Sequence, residues 1–507
     1  MNHTKLARHK ITMMLYIFLS QIIILQIPVH KSLLLLQYYN NSQTFQVDIV
    51  LSNNINFMPS TYVNGTNIGL VQIITGANNY QFFVKNKNIQ SNNTVLIAIV
   101  PYGAAPIPGG CNMEFPTEIA PYQKLTYSDA VITVDAQPAS INGHRCEQQI
   151  VQHEMYHMYL PESDFTPEVY FSGIKNMLTV TDISYYGTQA SRPGNGFLRR
   201  LYSAYKGTGS VYVIIANIMG QTSAYVPIVS YACDPLNLAE SCDGPTTIVS
   251  KVLCGVLVFL GIFTCYFGHR FFKTEMFLVG FLVGGLVTFL ILSMFAKLSL
   301  RDITIISLVI GCIFGLIWLA FWWYYGIPVL STLLSLIVLG FLFASIIFYA
   351  GLGDITIVRN NITYWGFFTS IVLLTITVLT GFMHKANILA CATVGSYAFI
   401  IPIDHYYGTN MKYIFINTVR RATVENFEAA IIDPPYQFKD LLLTLLWLTL
   451  AISGVVHQWR QQRGRPPFPP ASARAQPPDE RTPLLMPTST MDPSDRIILI
   501  HSVPYDG

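Results

Sequence analysis

FGHRFFKTEMFLVGFLVGG, residues 267–285, sets two long apolar runs around a short basic turn. The first run ends at Phe267 and the second begins at Met276, with His269, Arg270 and Lys273 between them. In water such a pair would be a core helical hairpin. Each run here is about 20 residues long, enough to cross ~30 Å of hydrocarbon. The stretch predicts a transmembrane hairpin, and the chain after it repeats the device. The expected spans are 248–267, 276–296, 303–325, 327–349, 364–383, 387–403 and 440–457. Connections at 268–275, 326 and 384–386 are very short, so runs one and two, three and four, and five and six are expected as hairpins. Gly280 and Gly284, Gly311 and Gly315, and the small residues Ala390, Ala392 and Gly395 are expected to let helix backbones approach closely in lipid.

Composition agrees. The 507-residue chain is 52% hydrophobic and 11% charged, against roughly a quarter charged in soluble domains. The apolar excess lies after Thr246, so a polar front half precedes a membrane half. A net charge of +3, with no basic block or stripe in the front half, gives no footprint for nucleic acid.

Lys5, Arg8 and Lys10 precede the apolar stretch 11–27, the pattern of a secretory signal peptide or signal anchor over 1–30. Residues 31–245 are rich in Asn, Thr, Tyr and Val. Phe45–Leu51, Leu70–Thr75, Tyr80–Lys85, Val95–Val100, Val131–Val134 and Val211–Ile218 read as short strands of β-sandwich type. TVLIAIV at Thr94 followed by APIPGGC, and SVYVIIA at Ser210 followed by VPIVSYAC, suggest an internal repeat. Two tandem β modules follow, 31–125 and 126–245, then a membrane domain, 246–458, and a disordered tail, 459–507. The fold class expected is a seven-helix membrane bundle with an all-β lumenal or extracellular region.

Asn40, Asn64 and Asn92 occupy N-x-[ST] sequons behind the signal, and Asn361 occupies another in the loop 350–363. Of the eight cysteines, Cys111, Cys146, Cys233 and Cys242 lie in the front half. Four cysteines allow three pairings; Cys111–Cys146 and Cys233–Cys242 are expected, the second closing a short loop. A lumenal front half puts the basic turn and the tail in the cytosol, as the positive-inside bias of Arg270, Lys273, Lys385, Arg460, Arg463 and Arg465 requires. The loop 404–439 then lies outside, where Met411–Ile432 reads as an amphipathic helix on the membrane surface.

Three constellations bear on chemistry. HEMYH, 153–157, matches the two-histidine zinc face of metalloproteases with Glu154 as base, but Pro161 follows and Tyr156, Met158 and Leu160 alternate like a strand. Lys251, Glu275, His384, Asp404 and Asp440 all sit near span ends, where they are expected to reach the interface, which argues against an ion-coupled pump. Seven spans invite a G-protein-coupled receptor reading. The third run ends FWWYYG without an acidic-Arg-Tyr triplet and the seventh has no N-P-x-x-Y, so that reading is set aside.

The tail carries PPFPP, 466–470, a polyproline-type ligand. It also carries ERTPLL, in which Glu480 precedes Leu484 and Leu485 as in the acidic dileucine signals that clathrin adaptors read.

The basic turn with Gly268, Arg270, Phe271 and Lys273, the three-hairpin pattern with a seventh span, the sequon-bearing front and the ERTPLL tail together resemble the seven-transmembrane superfamily member 3 family, with its TM198-like membrane domain. The resemblance covers most of the chain. It implies a multi-pass membrane protein without known catalysis, linked to cell survival and the unfolded-protein response, and it supplies no catalytic residues. The expected activity is recognition or scaffolding, with no cofactor or metal, at the plasma membrane or in the endolysosomal system. Partners are membrane lipid, clathrin adaptors and a lumenal or extracellular ligand. Arg270 and Lys273 are expected to anchor the first hairpin at phosphate headgroups. The alternatives are a channel or a carrier of lipid or a small neutral solute, and a zinc peptidase at His153, Glu154 and His157.

Overall fold

The computed structural model describes residues 123–139, 151–190, 198–233, 242, 248–296 and 298–469, together with strand backbones and isolated positions between 13 and 102. In the first module eight strands form two antiparallel sheets. They are β1 (Met13–Ile17), β2 (Ile23–Pro28), β3 (Leu33–Asn40), β4 (Ile49–Ser52), β5 (Tyr62–Gly65), β6 (Asn67–Gln72), β7 (Asn79–Asn86) and β8 (Asn93–Tyr102). The sheet orders are β1-β8-β3-β6 and β2-β7-β4-β5. The stretch expected as a signal thus contributes β1, in register Met13 opposite Ile97, and β2, with Ile23 opposite Val84. An uncharged Ile- and Leu-rich run serves a strand as well as a signal core. Each is the edge strand of its sheet, so the other three strands of either sheet stay paired without it.

The second module contains β9 (Gln123–Tyr127), β10 (Val131–Ala136), β11 (Gln152–Glu162), α1 (Pro167–Lys175), α2 (Val180–Tyr186), β12 (Thr188–Gln189), β13 (Leu198–Ser203), β14 (Thr208–Ile218), β15 (Gln221–Ala224) and β16 (Ile228–Ser230). The boundary expected at residue 125 falls inside β9, which pairs β10, so the second module starts earlier. β14 is buried along its first nine residues. Such a strand needs cover on both faces, which explains its continuous apolar run. Val134, Met155, Tyr202 and Ile214 join the core cluster around it. Leu160, Val211, Val213 and Ile215 form a second cluster. The disulfide Cys233–Cys242 closes the end of the module; Cys111 and Cys146 lie outside the described residues.

The membrane domain is α3 (Ile248–Phe267), α4 (Phe272–Phe295), α5 (Leu300–Tyr325), α6 (Pro328–Tyr349), α7 (Asn361–Thr380), α8 (Met383–Tyr407), a short α9 (Tyr413–Thr423) and α10 (Phe438–Gln462). Six of these are long and apolar enough to cross a bilayer, and α3, largely apolar, is 20 residues long, as long as α7. Local chemistry sets the breaks. Ser299 caps α5 by accepting from the Asp302 amide, Gly326 ends it in the left-handed region at φ 59°, and Pro328 opens α6. Large apolar side chains point outward along the spans, among them Phe259, Ile291, Leu316 and Leu374. An apolar surface of that extent suits hydrocarbon rather than water.

Helix pairing differs from the expected hairpins. α4 packs along α5, α3 along α8 and α6 along α7. Turns as short as those at 268–271 and 326–327 reverse the chain but let the joined helices diverge, and small residues decide the partners. A Cβ on Gly284 would stand 2.5 Å from Phe314, and one on Gly315 would stand 2.7 Å from the Phe277 carbonyl. Gly395 on α8 is pressed against Cys265 of α3 in the same way. The glycines singled out in the sequence are therefore seam residues, pairing α4 with α5 rather than α4 with α3.

Two further expectations are corrected. The 411–432 segment is no surface helix: α9 is wedged between the second module and the bundle, with Tyr413, Ile414, Asn417, Thr418, Arg420 and Arg421 buried. The tail does not begin at 459 as free chain either. α10 runs to Gln462, and Phe468 folds back onto the rings of His269, Phe272 and His384. Residues 470–507, with Glu480, Leu484 and Leu485, lie outside the described residues.

Candidate functional site

The seam between the second module and the bundle is built by the loop that leaves α8. That loop adds β17 (Ala430–Ile431) to the module's sheet, parallel to β13, completing the order β17-β13-β10-β9. Ile431 enters the module core. Tyr205 donates its hydroxyl to the Ile432 carbonyl, and Tyr159 donates to the Asp433 carbonyl at 2.8 Å. Buried Arg420 donates to the carbonyls of Ala204 and Asp129. Its charge is thus taken up by backbone oxygens, and burial lowers its pKa despite Tyr413 and Tyr205 nearby.

At the centre of the seam sits a carboxyl cluster. Asn410 donates its amide to Glu162 Oε1 at 2.6 Å, while Asp440 accepts the Asn410 and Gln437 backbone N–H groups at 2.8 and 3.0 Å. Glu162 lies against Asp440. Burial, then contact with the Asp440 carboxyl and its charge, push Glu162 up to about 9, with Asn410 and Lys439 pulling the other way. Beside it Asp404 accepts from Thr409, from the Met411 amide and from Lys412.

Asp404, Asp440 and Glu275 are each no more than 2% exposed, so the expectation that these span-end acids reach the interface is overturned. A buried acid is tolerated where donors converge on it; Glu275 is met by Ser335 and Asn387 from distant helices and Asp440 by the Asn410 amide, whereas Asp404 is met by Thr409, Met411 and Lys412 in the loop that follows its own helix.

A second buried polar cluster occupies the opposite end of the bundle. Asn387 donates both amide hydrogens, to Glu275 Oε2 at 2.8 Å and to His269 Nδ1 at 3.1 Å. His269 Nε2 then faces the Pro467 carbonyl at 3.0 Å, which fixes the proton on that nitrogen. Ser335 donates to Glu275, and Gln458 on α10 holds the His269 amide and the end of α3. Phe468 covers this cluster. Asn387 and Asp404 both lie on α8, 17 positions apart, so at ~1.5 Å per residue the clusters are separated by roughly 25 Å.

The remaining candidates fall as follows. HEMYH lies in β11, a strand, so the helical two-histidine face is not formed. His153 Nε2 accepts from the Ala139 amide at 2.9 Å, with its pKa lowered to about 4 by burial, and His157 meets Asp433 at 3.0 Å. Among the described residues no group of three or more His, Cys, Asp or Glu is assembled for a metal. Arg270, Phe271 and Lys273 are exposed at the first turn, and a Cβ on Gly268 would press on the Thr264 carbonyl and Cys391. Sequence reasoning named these turn residues together with His269 and Glu275 but did not foresee that His269, Phe272 and Glu275 carry the buried contacts. Asn40 and Asn64 end β3 and lie in β5, and Asn92 is outside the described residues. Asn361 opens α7 and donates its side-chain amide to Glu428.

Comparison with known proteins bears on the whole architecture. A family profile described as the TM7SF3-like N-terminal immunoglobulin-like domain matches residues 6–102, and one for the second immunoglobulin-like domain matches 106–236. The TM7S3/TM198-like domain matches residues 254–459. The chain is 31% identical to the Rattus norvegicus protein named Transmembrane 7 superfamily member 3, over 89% of this chain and 82% of that protein. It is 30% identical to the Homo sapiens protein of that name, over 84% and 79%. Among solved structures, a β-1,2-glucanase from Parabacteroides distasonis aligns at 11% identity over 47% of this chain and 31% of that one, with a TM-score of 0.15, too low to bear on fold or activity.

Proposed function

Because the chain belongs to the Transmembrane 7 superfamily member 3 family of multi-pass membrane proteins, we propose that it is a non-enzymatic glycoprotein that recognises a ligand on one side of the membrane and scaffolds machinery on the other. The immunoglobulin-like modules face the lumen or exterior, the tail faces the cytosol, and the protein works at the plasma membrane or in the endolysosomal system. Its physiological setting is cell survival under unfolded-protein stress. The dileucine pair Leu484 and Leu485 hands it to clathrin adaptors.

The observation that carries this reading is the seam. β17 belongs to the module's sheet, yet it is covalently part of the loop between α8 and α10. A partner bound to the module therefore bears directly on two membrane helices rather than on a loose tether. Proximity labelling from the module and from the tail, in cells with and without Leu484→Ala and Leu485→Ala, tests it. Distinct partner sets at the two ends, with adaptors lost from the tail set in the double variant, are expected. Identical sets from both ends would refute opposite-sided scaffolding.

A carrier reading draws on Glu275, Asp404 and Asp440, since buried acids in spans commonly mark transport paths. Tight contact of Gly261, Gly395 and Gly454 with neighbouring helices between the two clusters opposes it. Flux of small neutral solutes into proteoliposomes above protein-free vesicles would restore that alternative.

A further inference from the structure

On the module side of the bundle a cavity of about 360 Å3 opens between the last turn of α4, the start of α7 and the segment leaving α9. Met294, Asn361, Arg421, Glu425 and Glu428 line it. Arg421 is only 6% exposed. Its Nη1 donates to the Phe427 carbonyl and its Nη2 to the Arg359 carbonyl, while its Nε is buried without an acceptor. The guanidinium rests over the Tyr364 ring at 4.6 Å. Glu428 on the cavity wall attracts it and Arg359 repels it, and the Arg359 Nε also lacks an acceptor. Two cations share this corner, and no carboxylate hydrogen-bonds Arg421 among the described residues.

A buried guanidinium is costly unless an anion or a full set of acceptors meets it, and its planar fork fits a phosphate group. The opposite wall has the other sign: Glu425 and Glu428 are exposed there. The depth is that of lipid headgroups. Met294 and Phe295 end α4 at 54% and 80% exposure, and Ile362 in the first turn of α7 is 85% exposed. Such side chains mark where hydrocarbon starts, and the polar cavity lies beside them.

We propose that this cavity holds the headgroup of a zwitterionic phospholipid, its phosphate on Arg421 and its ammonium toward Glu425 and Glu428. The site rests on the membrane character of the helices and not on which compartment the modules face. It makes the wedge formed by α9 a lipid-reading element between bundle and module.

The test uses the full chain in detergent micelles, incubated with phosphatidylcholine, phosphatidylglycerol or free phosphocholine, with bound ligand counted by native mass spectrometry. Phosphatidylcholine is expected to stay bound in preference to phosphatidylglycerol, and free phosphocholine is expected not to. Arg421→Gln should lower phosphatidylcholine binding by roughly tenfold, the scale of one charge-assisted contact. Thr423→Trp fills the cavity from its wall and keeps the arginine, so it should lower binding equally, with its melting temperature showing that the protein is folded. Gly366→Ala, at a position with open space, should leave binding unchanged. Equal retention of phosphatidylglycerol, tight binding of free phosphocholine, or unaltered binding in a folded Thr423→Trp protein would each overturn the proposal.

Discussion

Asn410, in the loop after the sixth span, hydrogen-bonds Glu162, at the end of a strand 248 residues earlier, at 2.6 Å inside the seam between module and bundle. That bond, with Asp440 alongside, makes the seam sensitive to pH. Glu162 titrates near 9 in the folded chain against 4.5 when unperturbed, chiefly because burial disfavours its charge.

The sign follows from proton binding. Between the unperturbed and the raised pKa the folded chain keeps a proton that the unfolded chain releases, so stability falls as pH rises. The contribution is fully present below about 4.5 and gone above about 9. Melting temperature should therefore fall from pH 5 to pH 9. Glu162→Gln, which keeps the acceptor for Asn410 and supplies a permanent donor toward Asp440, should flatten that slope. An unchanged slope in the variant would remove Glu162 as its source.

The α4–α5 seam predicts an asymmetric glycine series. Gly315→Val must displace the Phe277 backbone or split the helices, with a cost of roughly 1–3 kcal/mol of the overpacking kind. Gly255→Ala meets nothing within 4 Å and should be close to neutral. Thermal unfolding in detergent compares the two; similar midpoints would mean the seam is looser than the structure shows.

Phe468 holds the start of the tail against His269, Phe272 and His384. Phe468→Ala should free that segment and speed trypsin cleavage after Arg463 several-fold, while cleavage sites in the modules stay slow. Equal rates would show that Phe468 does not tether the tail.

Cysteine chemistry offers a direct count. Cys254, Cys265, Cys312 and Cys391 are free in the structure, and Cys233 is bonded to Cys242. Alkylation of the unfolded, unreduced chain should label those four free residues and leave Cys111 and Cys146 unlabelled. Labelling of the latter two would rule out their bridge.

Asn361 is expected to stay unmodified despite its sequon. Its amide nitrogen, the atom a glycan would occupy, donates to Glu428 at the very start of α7. Asn361→Gln should leave electrophoretic mobility unchanged, whereas Asn64→Gln should lower the apparent mass. A shift in the first variant would contradict that geometry.

The helix spans were legible because length and uninterrupted apolarity are local properties: the expected run 248–267 is α3, and 327–349 misses α6 by one residue at its start. Strands such as β7 and β10 were legible for the same reason, through β-branched and aromatic runs between polar turns. What stayed hidden was pairing. Nothing within residues 268–285 tells that Gly280 and Gly284 meet α5 rather than α3, nor that Glu275 is met by Asn387 and Ser335. The wedge formed by α9 was misassigned because an amphipathic pattern states only that two faces differ. It does not state that the polar face, with Asn417 and Arg420, meets Ser203 and Ala204 instead of water.

The two-residue strand β17 also imposes an order on biosynthesis. Residues 430 and 431 leave the ribosome only after α8 has been made, yet they complete a sheet whose other strands end at Ser203. The second module must wait, with one edge open, until six helices have been threaded into the bilayer. Its final closure therefore follows insertion rather than preceding it.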